Sequence, residues 1–291
     1  MSLSIHASVT RSALALPATA GGLAWLRAGI VWLPLVILLV VTVAGRALAP
    51  YDPDAVLVTD RLQPPSLMHP MGTDPLGRDV LSRVMTGARN TVPNVFFILI
   101  SALTIGVLMG VVAGYAGGKI DTVLMRITDV FLAFPALVLA LAIVGMLGAN
   151  VRNAIIAIII VWWPWYARLV RGQVLSIKNE LYVDAARSLG CPAHRILLHH
   201  VLPNSMAPVG VQALLDIGAA LLTTAALGYL GVGAQPPSSE WGAMLAQGRQ
   251  FFLDAWWLTG FPGLAIFVTV LIFNGAGERL RAKTLSGWSR I

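Results

Sequence analysis

The 291-residue chain is 57% hydrophobic and only 11% charged, and its mean hydropathy is +0.78. That composition is too apolar for an ordinary soluble domain. The formal net charge of +7 comes with no base-reading motif, so no nucleic-acid partner is expected. The single cysteine, Cys191, excludes an internal disulfide framework.

Six uncharged stretches predict six membrane-spanning helices. A bilayer core about 30 Å thick requires about 20 apolar residues in a helix. The stretches cover 28–45, 90–118, 130–151, 153–167, 217–239 and 255–277. The fourth would give only about 22 Å of helix, but Arg152 and Arg168 at its ends can reach the interface. We therefore predict an all-α, polytopic membrane protein.

The distribution of Lys and Arg predicts how the chain is oriented. If the N-terminus is cytoplasmic, 13 of the 20 basic residues lie on the cytoplasmic side, as the positive-inside rule requires. Both termini are then cytoplasmic, in a multi-pass protein of the inner membrane surrounded by lipid. The predicted parts are a cytoplasmic tail (1–25), a first span (26–49), an extracytoplasmic segment (50–91) and a core of five spans (92–285).

Glycines recur every four residues in the second span, at Gly106, Gly110, Gly114 and Gly118. On a helix they form a smooth seam that another backbone can approach closely. Two interpretations stay open at this stage. The seam packs within the chain, or it faces a partner subunit or a moving helix.

Two acidic residues lie within the predicted spans, where a carboxylate is costly unless it faces protein or water. The third span begins RITDVFLAFPALVLA, with Asp129 roughly two turns into it. Arg126, three residues before Asp129, is its expected partner, and Pro135 should loosen the helix that follows. Asp216 lies in the fifth span. For both acids, a structural role and a role in lining a path stay open.

No catalytic or metal site is predicted. Residues 114–119 lack the spacing of a phosphate-binding loop. Cys191 and His194 make a weak signal for a nucleophile and its base. The three histidines His194, His199 and His200 do not align on one helix face, so we expect them to be solvated or to lie at an interface.

The most polar segment of the chain, residues 180–204, separates the fourth and fifth spans. Leu181, Ala185 and Leu189 fall on one helical face, and Gly190 is a natural helix end. A second short helix is predicted from Ala193 to Leu202. We call residues 180–204 the coupling segment.

The coupling segment has the form of a docking element. Pro192 suits the first turn of its second helix, and Pro203-Asn204 should close that helix. We expect the small Ala185 and Ala186 to be exposed for close contact, in the manner of a helix docked into a groove on another protein. An amphipathic element lying on the lipid surface is the alternative.

The coupling segment resembles the EAA loop of importer permeases of the ATP-binding-cassette class, E-A-A, three residues, Gly, nine residues, then I-x-L-P. This chain has Asp184-Ala185-Ala186, then Gly190, then His200-Val201-Leu202-Pro203. Asp184 replaces Glu and keeps the charge, and His200 in place of Ile is similar to the peptide-importer branch.

Three further stretches extend the resemblance to that branch. They are MGTDPLGRDVLSRVMTGARNT (71–91), RITDVFLAFP (126–135) and AALGYLGVGAQPPSSEWGAML (225–245). From about residue 70 to residue 285 the chain resembles the C-type permease subunit of dipeptide and oligopeptide importers. The departure is Thr224, near which the family often has an acid.

The resemblance implies a set of partners. These are a second, homologous permease subunit, two ATPase subunits that bind ATP and Mg, and an extracytoplasmic peptide-binding protein. This chain itself would hold no cofactor. The residues expected to couple to the ATPases are Asp184, Ala185, Ala186, Leu189, Gly190, Arg195, His200 and Pro203. Asp129, Asp216 and Thr224 are candidates for the path or its gate, and Glu240 and Trp241 for extracytoplasmic contact.

Two classes of alternative remain. A nickel or antimicrobial-peptide importer permease would use the same scaffold. An ion-coupled secondary carrier would be complete alone, but it would often show two repeat-related halves and intramembrane ion ligands. The coupling segment would have no role in such a carrier.

Overall fold

The computed structural model describes residues 21–288, with side chains described for residues 32–281. Over that range the chain folds into ten α-helices, which confirms the predicted all-α class. The helices are α1 (Gly21–Leu48), α2 (Val80–Ala116), α3 (Gly118–Leu132), α4 (Ala136–Leu147), α5 (Val151–Lys178), α6 (Leu181–Ser188), α7 (Ala193–Ile196), α8 (Leu202–Tyr229), α9 (Trp241–Gly248) and α10 (Trp257–Trp288).

Four helical runs in the described range are long and apolar enough to cross a membrane. They are α2, α5, the continuous run Ala193–Tyr229 and the Trp257–Arg281 part of α10. The pair α3 and α4 would make a fifth span. The described apolar part of α1, Trp32–Leu48, is shorter. These six units follow the order of the six predicted stretches.

The predicted third span is not one straight helix. Helices α3 and α4 meet at 86°, with Pro135 directly before α4. Proline lacks the N–H that would continue the helical ladder and disfavours helical backbone at the preceding residue, here Phe134. The expectation that Pro135 merely loosens the helix is therefore wrong. Helix α4 has 12 residues, about 18 Å of helix, which is shorter than a bilayer core.

The predicted limits of the fourth and fifth spans are also wrong. Helix α5 continues beyond residue 167 to Lys178, and α8 ends at Tyr229 rather than at residue 239. The continuation of α5 carries Arg168 and Arg171, each of which forms an ion pair with an aspartate of α3. Counting uncharged residues ends the predicted span at the first arginine. The helix itself continues past an arginine when an acidic partner for that charge lies close by.

The glycine seam of α2 packs against α5. A Cβ at Gly106 would lie 2.4 Å from the Cβ of Tyr166, and one at Gly110 would lie 2.5 Å from the carbonyl oxygen of Ala167. Gly114 is similarly close to Val174. Three of the four glycines therefore let two helix backbones approach within the chain. Gly118 lies at the turn between α2 and α3, with a φ of +55°.

The two ends of helix α2 contact structurally different parts of the chain. Residues 49–79 and 230–256, which we call the polar cap, pack around its N-terminus, where Trp241 Nε1 donates to the Val84 carbonyl at 2.9 Å. The coupling segment lies at its C-terminus, where the Tyr115 hydroxyl donates to the Ala193 carbonyl at 2.8 Å. A helix of 37 residues holds these ends about 55 Å apart.

Candidate functional site

Helix α6 of the coupling segment has one buried and one exposed face. Val183 and Ala186 pack into an apolar cluster formed with α5, α7 and α8. Leu181 and Leu189 are each 85% exposed, and Ala185 is exposed between them. The predicted face of Leu181, Ala185 and Leu189 is therefore the free one. The prediction that Ala186 is also exposed is wrong, because it lies three residues after Val183 on the buried face.

The backbone reverses at Gly190 through a capping motif. The Cys191 N–H donates to the Ala186 carbonyl at 3.2 Å, and the Gly190 N–H donates to the Arg187 carbonyl at 3.0 Å. This pair of bonds is the Schellman motif, which needs a left-handed residue after the helix. Gly190 has a φ of +79°, as expected from its place in the sequence. A Cβ there would meet no atom within 4 Å, so the strain of a substitution is conformational.

The second short helix does not stop at Pro203. Helix α7 passes through a π-helical turn over Leu197–Val201 directly into α8. The Leu202 N–H donates to the carbonyl of Leu197, five residues back. A wider turn of this kind accommodates a proline, whose ring would clash with a regular helical turn. The prediction that Pro203-Asn204 closes the helix is therefore wrong, and a rigid run connects α7 to α8.

Three residues that sequence reasoning missed join the coupling segment and the helices next to it to one another. Lys178 Nζ donates to the Tyr115 carbonyl at 2.9 Å, near the C-terminus of α2, where a cation meets unpaired carbonyls. The Tyr115 hydroxyl bonds Ala193. The Asn204 amide donates to the Tyr182 hydroxyl at 3.1 Å and so joins α8 to α6. Their only signal in the sequence was proximity to helix ends.

The charged residues of the coupling segment lie on its surface. Arg187 Nη1 donates to Asp184 Oδ1 at 2.6 Å, and both side chains are more than half exposed. Arg195 is exposed as well, and the His200 ring lies 6.5 Å from the Tyr182 ring. The free surface of the coupling segment thus combines leucines with a charged pair.

A cavity of about 390 Å³ lies at the break between α3 and α4. It is lined by Leu132, Ala136, Leu137, Val161, Trp162, Trp165, Asp216 and Thr223. Asp216 is half-buried, and its two oxygens accept hydrogen bonds from the Tyr166 hydroxyl and the Gln212 amide, each at 2.8 Å. Three residues were predicted to line the path or its gate, Asp129, Asp216 and Thr224. Of these, Asp216 alone lines this cavity.

The other two path candidates are elsewhere. Asp129 Oδ1 accepts a hydrogen bond from Arg168 Nη2 at 2.5 Å. The prediction that Arg126 is the partner of Asp129 is therefore wrong. Arg168 was available because α5 continues past residue 167. Thr224 donates its hydroxyl proton to the Ala220 carbonyl at 2.8 Å, and the neighbouring Thr223 takes the place in the cavity wall.

Glu240 and Trp241 are used inside the polar cap. The Glu240 carboxylate caps α9 by accepting from the N–H groups of Gly242 and Ala243 at 3.0 and 2.9 Å. Burial raises the pKa of this carboxyl, and these two hydrogen bonds oppose the rise. The Trp241 ring is buried against α2. A partner on this side would therefore meet their exposed neighbours.

Comparison with known proteins identifies the class. A family model described as "Binding-protein-dependent transport system inner membrane component" matches residues 102–284. The chain is 44% identical over 247 residues to the "Probable D,D-dipeptide transport system permease protein DdpC" of Escherichia coli (strain K12), covering 85% of this chain and 83% of that protein. It is 48% identical over 223 residues to the "Dipeptide transport system permease protein DppC" of Alkalihalophilus pseudofirmus, covering 77% and 73%.

A solved structure shares the fold. The inward-facing MetNI methionine ABC transporter aligns with a TM-score of 0.58 at 18% identity, covering 69% of this chain and 95% of that one. The family match covers more than half of the chain, and it includes the coupling segment, the cavity and most of α10. The chain therefore belongs to the family of binding-protein-dependent transport system inner membrane components, and it is a multi-pass permease of the ATP-binding-cassette class.

Proposed function

We propose that this chain is one of two permease subunits in an ATP-driven importer of dipeptides or oligopeptides. A second, homologous permease would form the other half of the path. Two ATPase subunits would bind ATP and Mg on the cytoplasmic side, and an extracytoplasmic binding protein would deliver the peptide. The identity to proteins named as dipeptide permeases supports the substrate class.

The exposed face of α6 is the observation that carries the proposal. Leu181 and Leu189 lie free on a segment that is otherwise anchored to α2, α5 and α8. An apolar helix face with a charged edge suits a groove on a protein partner. Because α7 continues into α8, a displacement of the docked segment would be transmitted to the cavity wall, to which α8 contributes Asp216 and Thr223.

Reconstitution tests the proposal. The chain would be assembled in liposomes with the partner permease, both ATPases and the binding protein of the same importer. We expect ATP-dependent uptake of the dipeptide Ala-Ala by the full assembly, and neither ATP hydrolysis nor uptake by this chain alone. Uptake by the lone chain driven by an ion gradient would favour a secondary carrier. ATP-dependent uptake of nickel without peptide would reassign the cargo.

The orientation has its own test. In a background in which Cys191 is replaced by serine, single cysteines would be placed at Ser66 of the polar cap and at Ser188 of the coupling segment, both exposed positions. An impermeant thiol reagent added to intact cells should label position 66 and spare position 188 until lysis. The reverse pattern would place the coupling segment outside.

A further inference from the structure

The aspartates of the spanning helices differ in how their charge is compensated. Asp121 accepts from Arg171 through both oxygens, at 2.5 and 2.7 Å. Asp129 accepts from Arg168. Asp216 receives hydrogen bonds from two neutral groups, the Tyr166 hydroxyl and the Gln212 amide. Among residues 32–281, no Lys, Arg or His lies in ion-pair contact with Asp216.

A carboxylate held in this way is prepared for a cation. Two neutral donors fix its orientation without bringing an opposite charge to it. Each carboxylate oxygen keeps further acceptor capacity, since an ionised carboxylate offers about four lone-pair sites. An intramembrane acid without a compensating charge is costly, and such residues are commonly placed where they meet a substrate or an ion.

The surroundings of Asp216 fit an organic cation of small-peptide size. The cavity volume of about 390 Å³ lies within the range of small-molecule sites, about 300–1,000 Å³. Trp162 and Trp165 contribute aromatic surface, which attracts cations through the faces of the rings. The other lining side chains are apolar apart from Thr223. A metal ion that had lost its water ligands would need more oxygen ligands than this wall offers.

We propose that the Asp216 carboxylate is a transient binding site for the cationic amino group of the transported solute, which is the α-ammonium group when the solute is a peptide. Tyr166 and Gln212 are positioning residues that hold the carboxylate toward the cavity. The amino group would form a charge-assisted hydrogen bond to Asp216, with the apolar side chains of the peptide against the tryptophans. This inference rests on the proposed function.

Direct binding to the permease tests the inference without transport. The two permeases and their ATPases would be purified together without the binding protein, and radiolabelled Ala-Ala binding would be measured by scintillation proximity. Asp216→Asn keeps the shape of the side chain and removes its charge. We expect it to lower the affinity for Ala-Ala at least about tenfold. N-acetyl-Ala-Ala lacks the cationic group. It should bind the wild-type complex as weakly as Ala-Ala binds the Asp216→Asn complex, and its affinity should not change with the substitution.

Two further variants sharpen the result. Tyr166→Phe removes one positioning hydrogen bond and should weaken Ala-Ala binding by a smaller factor. Asp254→Asn removes an exposed carboxylate of the polar cap, away from the cavity wall, and should leave the Ala-Ala affinity within about twofold. Co-purification of the ATPases reports whether each variant is assembled.

The outcomes separate this inference from the proposed function. Equal Ala-Ala affinity in the wild type and in assembled Asp216→Asn, equal binding of the acetylated peptide, or no binding to the wild-type complex would overturn the site. Peptide uptake by the wild-type assembly with unchanged kinetics in Asp216→Asn would overturn it as well, while leaving the importer standing. Amine-dependent binding without peptide uptake would support the site and overturn the proposed cargo.

Discussion

The two ends of α2 use charge in opposite ways. At the N-terminal end, the guanidinium of Arg83 is 1% exposed and donates to the carbonyls of Pro53, Pro237 and Ser238. At the C-terminal end, the ion pair of Asp184 and Arg187 is more than half exposed. The buried charged groups at the N-terminal end, Arg83 of α2 and the Asp74–Arg78 pair of the polar cap, form contacts within the chain. The coupling segment presents its charged groups to the outside.

This difference predicts which end tolerates change. Buried charges with several partners are destabilising when one partner is removed, because the others are left uncompensated. Exposed ion pairs contribute only about 0–1 kcal/mol to stability. Substitutions of the buried charged residues at the N-terminal end of α2 should therefore affect folding, and substitutions in the coupling segment should affect partners.

The largest effect is expected for Arg83→Met. The change removes hydrogen bonds to the carbonyls of residues 53, 237 and 238, and it deprives Asp74 of a nearby charge at 3.7 Å. We expect a loss of about 3 kcal/mol of stability, seen as low yield and a lower melting temperature in detergent. The matched control is Arg89→Met in the same helix, where the arginine is exposed. Equal stability of the two variants would contradict the comparison of the ends.

Gly190→Val should affect the other end with little effect on folding of the spans. Forcing a β-branched residue to a φ of +79° costs about 1–2 kcal/mol locally, and the direction of the chain into α7 would change. We expect normal membrane levels, reduced co-purification of the ATPases and loss of peptide uptake.

Gly190→Asn is the matched control, because asparagine tolerates the left-handed conformation. It should retain both ATPase binding and uptake. If the valine variant also retained both, the reversal at Gly190 would have no part in coupling.

Lys178→Met tests the attachment between α2 and the end of α5 that leads into the coupling segment. The change removes a cation from the carbonyls of Gly114 and Tyr115 while keeping an unbranched apolar side chain. We expect about 1 kcal/mol of lost stability and slower uptake in an assembly that still forms. Lys119→Met, at an exposed lysine nearby, should change neither. A fully active Lys178→Met variant would show that this bond is not needed for transmission.

The helical class and the order of the spans were predictable because long apolar stretches leave few alternatives in a bilayer. The residues at which the spans begin and end were less predictable. A break of 86° after Leu132 depends on how the two half-helices pack, which proline alone does not specify. The length of α5 depends on ion pairs between residues about 40 to 50 positions apart. Such pairs cannot be deduced from one sequence.

The coupling segment was predicted more closely than the cavity. Its turn chemistry is local, and the conformation of Gly190 follows from a helix end that the sequence itself marks. The cavity joins residues from α3, α4, α5 and α8, so its wall is a product of tertiary packing. Asp216 was recognisable as an unusual acid, but Tyr166, Gln212 and the two tryptophans gave no comparable signal.

The smallest effect on stability, and the sharpest test of the exposed end, is expected for Asp184→Lys. The side chain is more than half exposed and its partner is Arg187. The free energy of unfolding of the variant should therefore lie within about 0.5 kcal/mol of the wild-type value. Binding of the ATPases should weaken much more, because a reversed charge would meet the groove that would receive α6 in the proposed assembly. Asp184→Glu keeps the charge and should retain ATPase binding. Co-purification of the ATPases, measured beside melting temperature, separates the two effects. Wild-type ATPase binding and uptake in Asp184→Lys would indicate that α6 lies against lipid rather than in a partner's groove.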